Sequence, residues 1–123
     1  MRESKLWSWH ILTAVIILVL LGFHMGIMHL GAILNAFGIG SAEPTKSAEV
    51  FHRSQQLFFM ITYILLLGTA LFHGLYGLRS MIFELSLSKT VEKLIGGLCA
   101  VGGFALFIYG SYAAIAVFRL KGA

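Results

Sequence analysis

The sequence predicts an all-α membrane protein with three transmembrane helices, from an apolar composition and three long uncharged stretches. Of the 123 residues, 59% are hydrophobic and 11% are charged, and the mean hydropathy is +0.90. Soluble domains carry about 25% charged residues, so this chain has too few polar side chains to cover a water-facing surface. The composition therefore excludes a cytosolic enzyme, a secreted domain and a disordered tail.

Three stretches are long and apolar enough to cross a bilayer, which requires about 20 helical residues. We expect transmembrane helices over residues 6–34, 54–78 and 94–118, within a single membrane domain that spans residues 1–123. A polar loop with the only proline separates the first two spans, and a charged linker separates the last two. The first stretch is about twice as long as the core of a signal peptide, so we expect it to be a retained helix.

Cysteine and charge patterns exclude several classes of site. With one cysteine, the chain has neither a disulfide framework nor a cysteine zinc site. Its nine lysines and arginines are scattered over the ends and connections, so we expect no nucleic-acid partner. With the N-terminus in the cytoplasm, five of these basic residues lie inside and four outside. The inside residues are Arg2, Lys5, Arg79, Lys89 and Lys93. This small excess favours a multi-pass protein of the inner membrane with a cytoplasmic N-terminus.

Small residues form candidate packing faces, because helices in lipid associate mainly through close contacts at small residues. On the third span, Gly96, Gly103 and Gly110 are seven residues apart, and the first span carries Gly22 and Gly26. The second span has a polar stripe with the same seven-residue spacing, formed by Gln55, Thr62, Thr69 and Tyr76. Three helices make a thin bundle, so we expect a second membrane subunit to complete it.

The five histidines are the main candidates for function, because polar groups within a membrane are costly. They are His10, His24, His29, His52 and His73. A membrane histidine is either an interhelical hydrogen-bond donor or a ligand, and imidazole is a common axial ligand of haem. Small neighbours leave space for a porphyrin beside His73 and His24. His10 is either an ordinary interfacial residue or part of a quinone pocket.

A motif begins at His73. The segment from His73 to Glu84 reads H-x3-G-x-R-x4-E. It resembles the second-helix motif H-x3-G-x-R-x4-D of the membrane-anchor subunits of succinate dehydrogenase and fumarate reductase. The resemblance implies that His73 ligates haem b and that Arg79 lies at the cytoplasmic end, near a haem propionate and the quinone pocket.

This resemblance implies an anchor of a succinate:quinone or quinol:fumarate oxidoreductase, a respiratory complex linked to the tricarboxylic acid cycle. The chain would be half of a two-subunit haem-binding bundle and would not touch the dicarboxylate. The implied partners are a second anchor subunit, an iron–sulfur subunit, a flavoprotein subunit and membrane lipid. Electrons would pass to a quinone, either menaquinone or ubiquinone, near Ser8, His10, Tyr76 and Arg79.

The chain departs from the family pattern at several positions. Glu84 replaces the motif aspartate and no tyrosine follows it, while the first span lacks the H-R-x-S-G pattern of the larger anchor subunit. The chain therefore matches neither the larger nor the smaller anchor in full. Because His24 and His73 lie at different depths, we expect two haems, each completed by a partner histidine. With a single haem, His73 remains its ligand and His24 becomes a packing residue.

Two other functions are compatible with the same residues. In a small transporter or channel subunit, the membrane histidines would relay protons or metal ions, but all five glutamates fall at ends or connections. A structural assembly subunit without a cofactor would explain the glycine faces and leave the histidines unexplained. Haem content distinguishes these alternatives.

Overall fold

The computed structural model describes residues 2–38 and 47–120, and this part of the chain contains four helices. They are α1 (Arg2–Ala36), α2 (Ser47–Ser54), α3 (Leu57–Phe83) and α4 (Lys89–Arg119). Segments of α1, α3 and α4 are long and apolar enough to cross a membrane, at Ser4–Ile27, Leu57–Phe83 and Lys89–Arg119. The predicted all-α fold with three membrane spans is confirmed.

The connections are more helical than the sequence patterns suggest. The short helix α2 occupies part of the expected polar loop, whose proline lies outside the described residues. Gln56 is extended, with φ −94° and ψ 134°, so Gln55 lies outside α3 and does not continue its polar stripe. At its other end α3 continues to Phe83, which places Arg79 on the helix. Ser88 caps α4 by accepting a hydrogen bond from the Val91 amide at 3.4 Å.

Helix α3 is the centre of the arrangement and packs antiparallel to both α1 and α4. On one side, His10 contacts α3 near Gly77, whereas His24 contacts it near Tyr63. On the other side, Gly96 faces Arg79. Within the described residues α1 and α4 make no contact with each other. The three long helices therefore form an open layer and do not close into a bundle.

The glycines of α4 allow close approach to α3. A Cβ atom at Gly103 would collide with Leu75, and one at Gly110 would collide with Leu67. The predicted packing face of the third span is thus confirmed. Gly22 and Gly26 of α1 are different, because no atom outside their own helix backbone lies within 4 Å of a Cβ built there. Their face is left open to lipid or to another subunit.

The layer has almost no interior of its own. Among the described residues no hydrophobic side chain is buried, and the buried polar residue is Thr13, at 7% exposure. Its hydroxyl donates a hydrogen bond to the carbonyl of His10 at 2.8 Å. The best protected point in the described part of the chain therefore lies next to a candidate functional histidine.

Candidate functional site

Two of the predicted histidines meet where the N-terminal half of α1 crosses the C-terminal half of α3. The imidazoles of His10 and His73 stack with their centroids 4.0 Å apart and their planes within 3°. The Tyr76 ring lies 5.1 Å from the His10 ring at a tilt of 47°. The structure therefore brings together three residues of the predicted cofactor site from two helices, and His10 and His73 are 63 positions apart in the sequence.

The protonation pattern of His73 follows from its hydrogen-bond partner. Nδ1 of His73 lies 3.1 Å from the main-chain carbonyl oxygen of His10. A carbonyl oxygen can only accept, so Nδ1 must carry the proton and donate it. A neutral His73 then has its lone pair on Nε2. This is the usual arrangement of a metal-bound histidine, whose second nitrogen donates to a carbonyl or a carboxylate.

A cavity of about 620 Å³ adjoins the two histidines. Its lining includes Trp7, His10, His73, Gly74 and Tyr76. The space beside Gly74 is open, because a Cβ atom built there would have no atom within 4 Å outside the local helix backbone. Gly77 allows the close approach of α1, since a Cβ there would lie 3.3 Å from the His10 ring. Nδ1 of His10 is buried and makes no hydrogen bond within the described part of the chain. The site thus combines open space with an unsatisfied polar atom.

A second cleft lies between α1 and α3 at the opposite end of the layer. It has a volume of about 410 Å³ and is lined by His24, Tyr63, Phe23, Phe58 and Phe59, among others. The His24 and Tyr63 rings meet edge to face, 5.8 Å apart at 80°. With a rise of 1.5 Å per residue, His24 lies about 21 Å from His10 along α1. The two histidine sites are therefore separated by most of the membrane thickness.

Two other predicted residues point away from the histidine cavity. Arg79 faces α4, where its guanidinium lies 4.4 Å from the centroid of the Phe83 ring and beside Gly96. It lines an apolar groove of about 440 Å³ between α3 and α4, which also includes Tyr76. The exposed hydroxyl of Ser8 donates to the carbonyl of Ser4 at 3.0 Å. Tyr76 is thus shared between the cavity and the groove.

The remaining candidates have less protected positions. The side chains of His29 and His52 are exposed. Glu84 is also exposed and lines the rim of the histidine cavity. In the described ranges, no group of three or more His, Cys, Asp or Glu side chains could hold a metal ion.

Two residues of these sites were not predicted from the sequence. Thr13 lies three positions after His10, a spacing at which a threonine hydroxyl reaches the earlier carbonyl. That signal was available in the sequence. Tyr63 faces His24 only because of the antiparallel register between α1 and α3, which no local pattern reveals.

The donor geometry fits His73 as one axial ligand of a haem. Its Nε2 is the unprotonated nitrogen, and Gly74 leaves space along the cavity. His10 does not fit as the opposite ligand of the same iron, because the two imidazoles stack face to face and leave no layer between them for a porphyrin. His10 and His73 would therefore not hold one haem between them.

Comparison with known proteins matches most of the chain to a family model. A family model described as succinate dehydrogenase/fumarate reductase transmembrane subunit matches residues 2–110. No curated protein and no solved structure matches the chain. The matched segment includes both histidine sites and most of α4.

Proposed function

The chain belongs to the succinate dehydrogenase/fumarate reductase transmembrane subunit family, and from that membership we propose that it binds haem b and quinone. It is a multi-pass membrane subunit, and the family membership implies partner subunits. We propose that these are a second anchor subunit, an iron–sulfur subunit and a flavoprotein. In this proposal the chain takes part in electron transfer between the iron–sulfur subunit and membrane quinone, and it does not bind the dicarboxylate.

One observation carries the haem proposal: the hydrogen bond between Nδ1 of His73 and the His10 carbonyl, 3.1 Å long. It holds the imidazole in one tautomer and directs the lone pair of Nε2 away from that bond. A bound haem supplies reversible one-electron redox chemistry, while the protein sets its ligands and surroundings. The face-to-face contact of His10 with His73 supports a ligand from the second anchor subunit on the opposite side.

We propose that the quinone head group binds near the histidine cavity. Tyr76 lines both this cavity and the α3–α4 groove, so its hydroxyl is a suitable donor to a quinone carbonyl from either side. His10 contributes a second polar ring at the same level. Ser8 and Arg79 remain candidate quinone contacts, because α1 and α3 bring them to the same end of the layer within two helical turns of His10 and His73.

The orientation of the chain belongs to the same proposal. We propose that the N-terminus is cytoplasmic, so that the end of the layer that holds His10 and His73 faces the iron–sulfur subunit. The excess of lysine and arginine at that end supports this orientation. In this orientation the cleft at His24 lies near the outer surface, where we propose a second haem.

The test is a dithionite-reduced minus oxidised visible spectrum of the purified complex, with haem and protein quantified together. We expect a b-type α-band in the wild type and loss of the corresponding haem in H73A, because alanine removes the iron ligand. H52A is the matched control, since His52 is an exposed histidine of α2. A full haem complement in assembled H73A would contradict the assignment, and absence of haem from the wild-type complex would favour testing an ion-relay function.

A further inference from the structure

The main-chain carbonyl of His10 receives hydrogen bonds from two side chains. Nδ1 of His73 reaches it from α3 at 3.1 Å, and Oγ1 of Thr13 reaches it from the next turn of α1 at 2.8 Å. Both groups can only donate to this oxygen. The carbonyl therefore links a threonine that lies outside the cavity to the imidazole proposed as an iron ligand.

The surroundings make the threonine hydrogen bond persistent. Thr13 is 7% exposed and is the buried polar residue of the described chain, so bulk water does not compete for its hydroxyl. A hydrogen bond in a low-dielectric environment is also electrostatically stronger than one in water. Other side-chain hydroxyls bond to helix carbonyls, for example Ser54 to Val50 at 2.8 Å, but no histidine shares that carbonyl in the described residues.

We propose that Thr13 is a positioning residue that sets the ligand strength of His73 through the carbonyl of His10. This inference rests on the proposed haem ligation by His73. Donors that share one oxygen compete for its electron density, so the hydroxyl of Thr13 weakens the bond that the carbonyl makes with the Nδ1–H of His73. A weaker bond leaves the imidazole less basic, because the second partner of a ligating histidine controls its electron donation to the metal.

The direction of the effect follows from that chemistry. Removal of the hydroxyl strengthens the bond from Nδ1–H to the carbonyl and gives His73 more imidazolate character. A more basic axial ligand stabilises ferric iron relative to ferrous iron. The haem bound by His73 should therefore have a lower reduction potential when residue 13 cannot donate a hydrogen bond.

The experiment measures the midpoint potential and the ferric electron paramagnetic resonance spectrum of the purified complex for T13V, T13S and the control S54A. The haem bound by His73 is identified as the one lost in H73A. We expect a lower potential and altered g-values in T13V with an unchanged haem content. T13S keeps the hydroxyl, and S54A removes a hydroxyl that bonds to a helix carbonyl on α2, so both should match the wild type.

An unchanged potential in T13V, or an equal shift in S54A, would overturn the inference. If T13V does not assemble, T13C replaces it, since a thiol is a weaker donor and should lower the potential by a smaller amount. An unshifted T13C would then overturn the inference. If H73A loses haem but T13V leaves the potential unchanged, only the proposed role of Thr13 is contradicted. If H73A keeps its full haem content, both the proposed function and this inference are contradicted.

Discussion

At the scale of single residues, His24 and His73 differ in how their rings are held. Nδ1 of His73 is bonded to a carbonyl, whereas neither ring nitrogen of His24 makes a hydrogen bond within the described residues. The His24 ring instead meets the Tyr63 ring edge to face. Both arrangements leave a ring nitrogen available for a ligand. The ring of His24 is nevertheless less constrained, since no hydrogen bond selects its tautomer.

This difference leads to a prediction for His24. We expect two haems in the wild-type complex, and we expect H24A to lose one of them while it retains the haem bound by His73. Haem and protein quantified together in H24A and H73A measure this directly. H29A is the matched control, because His29 is an exposed histidine on the same helix. A wild-type complex with a single haem that persists in H24A would show that His24 is a packing residue.

The sequence selected candidate residues that the structure brings together, but it did not predict their contacts. Histidine type, adjacent glycines and the motif spacing made His73 the candidate ligand, because residue type and local space are properties of a few neighbouring residues. The stacking of His10 on His73 depends instead on the register between α1 and α3. The direction of the Arg79 side chain toward α4 depends on the continuation of α3 to Phe83 and on the absence of a side chain at Gly96, beside which Arg79 lies. Such relations arise only in the packed structure.

At the scale of helices, the α3–α4 contact is the one that the sequence predicted most directly. The seven-residue spacing of Gly96, Gly103 and Gly110 places all three on one side of α4, where they face α3. The helix ends were less predictable. Helix α3 continues past Arg79 to Phe83, and α4 begins at Lys89, before the third apolar stretch. Arginine and lysine are good helix formers, so a charged residue at the end of an apolar stretch does not end the helix.

The close contact leads to a prediction for neighbouring glycines of α4. Gly103 faces Leu75 and has no space for a side chain, whereas no atom outside the local helix backbone lies within 4 Å of a Cβ at Gly102. We expect G103L to lower the free energy of unfolding by about 1–3 kcal/mol, the usual cost of overpacking, and G102L to change it little. Unfolding of the chain in mixed detergent micelles measures both variants. Equal stability of the two variants would contradict the assigned packing face.

At the scale of the whole molecule, the chain is an incomplete structure. No hydrophobic side chain of the described residues is buried, and within these residues α1 and α4 do not pack against each other. A large apolar surface in a membrane protein is covered by lipid at no great cost, but half-open cavities that contain His10, Tyr76 and His24 require polar partners. The open layer therefore supports assembly with a second membrane subunit.

The incomplete interior leads to a last prediction, which concerns haem retention. We expect the chain produced without its partner subunits to be inserted into the membrane but to lack stably bound haem, because His10 stacks beside His73 and provides no ligand on the opposite face. Production together with the second anchor subunit should restore haem, and restoration should fail when the chain carries H73A. Haem content and the visible spectrum of both preparations measure this. A monomeric chain that retains a haem with two histidine ligands would contradict it, because His10, which contacts His73, stacks on the face of that ring.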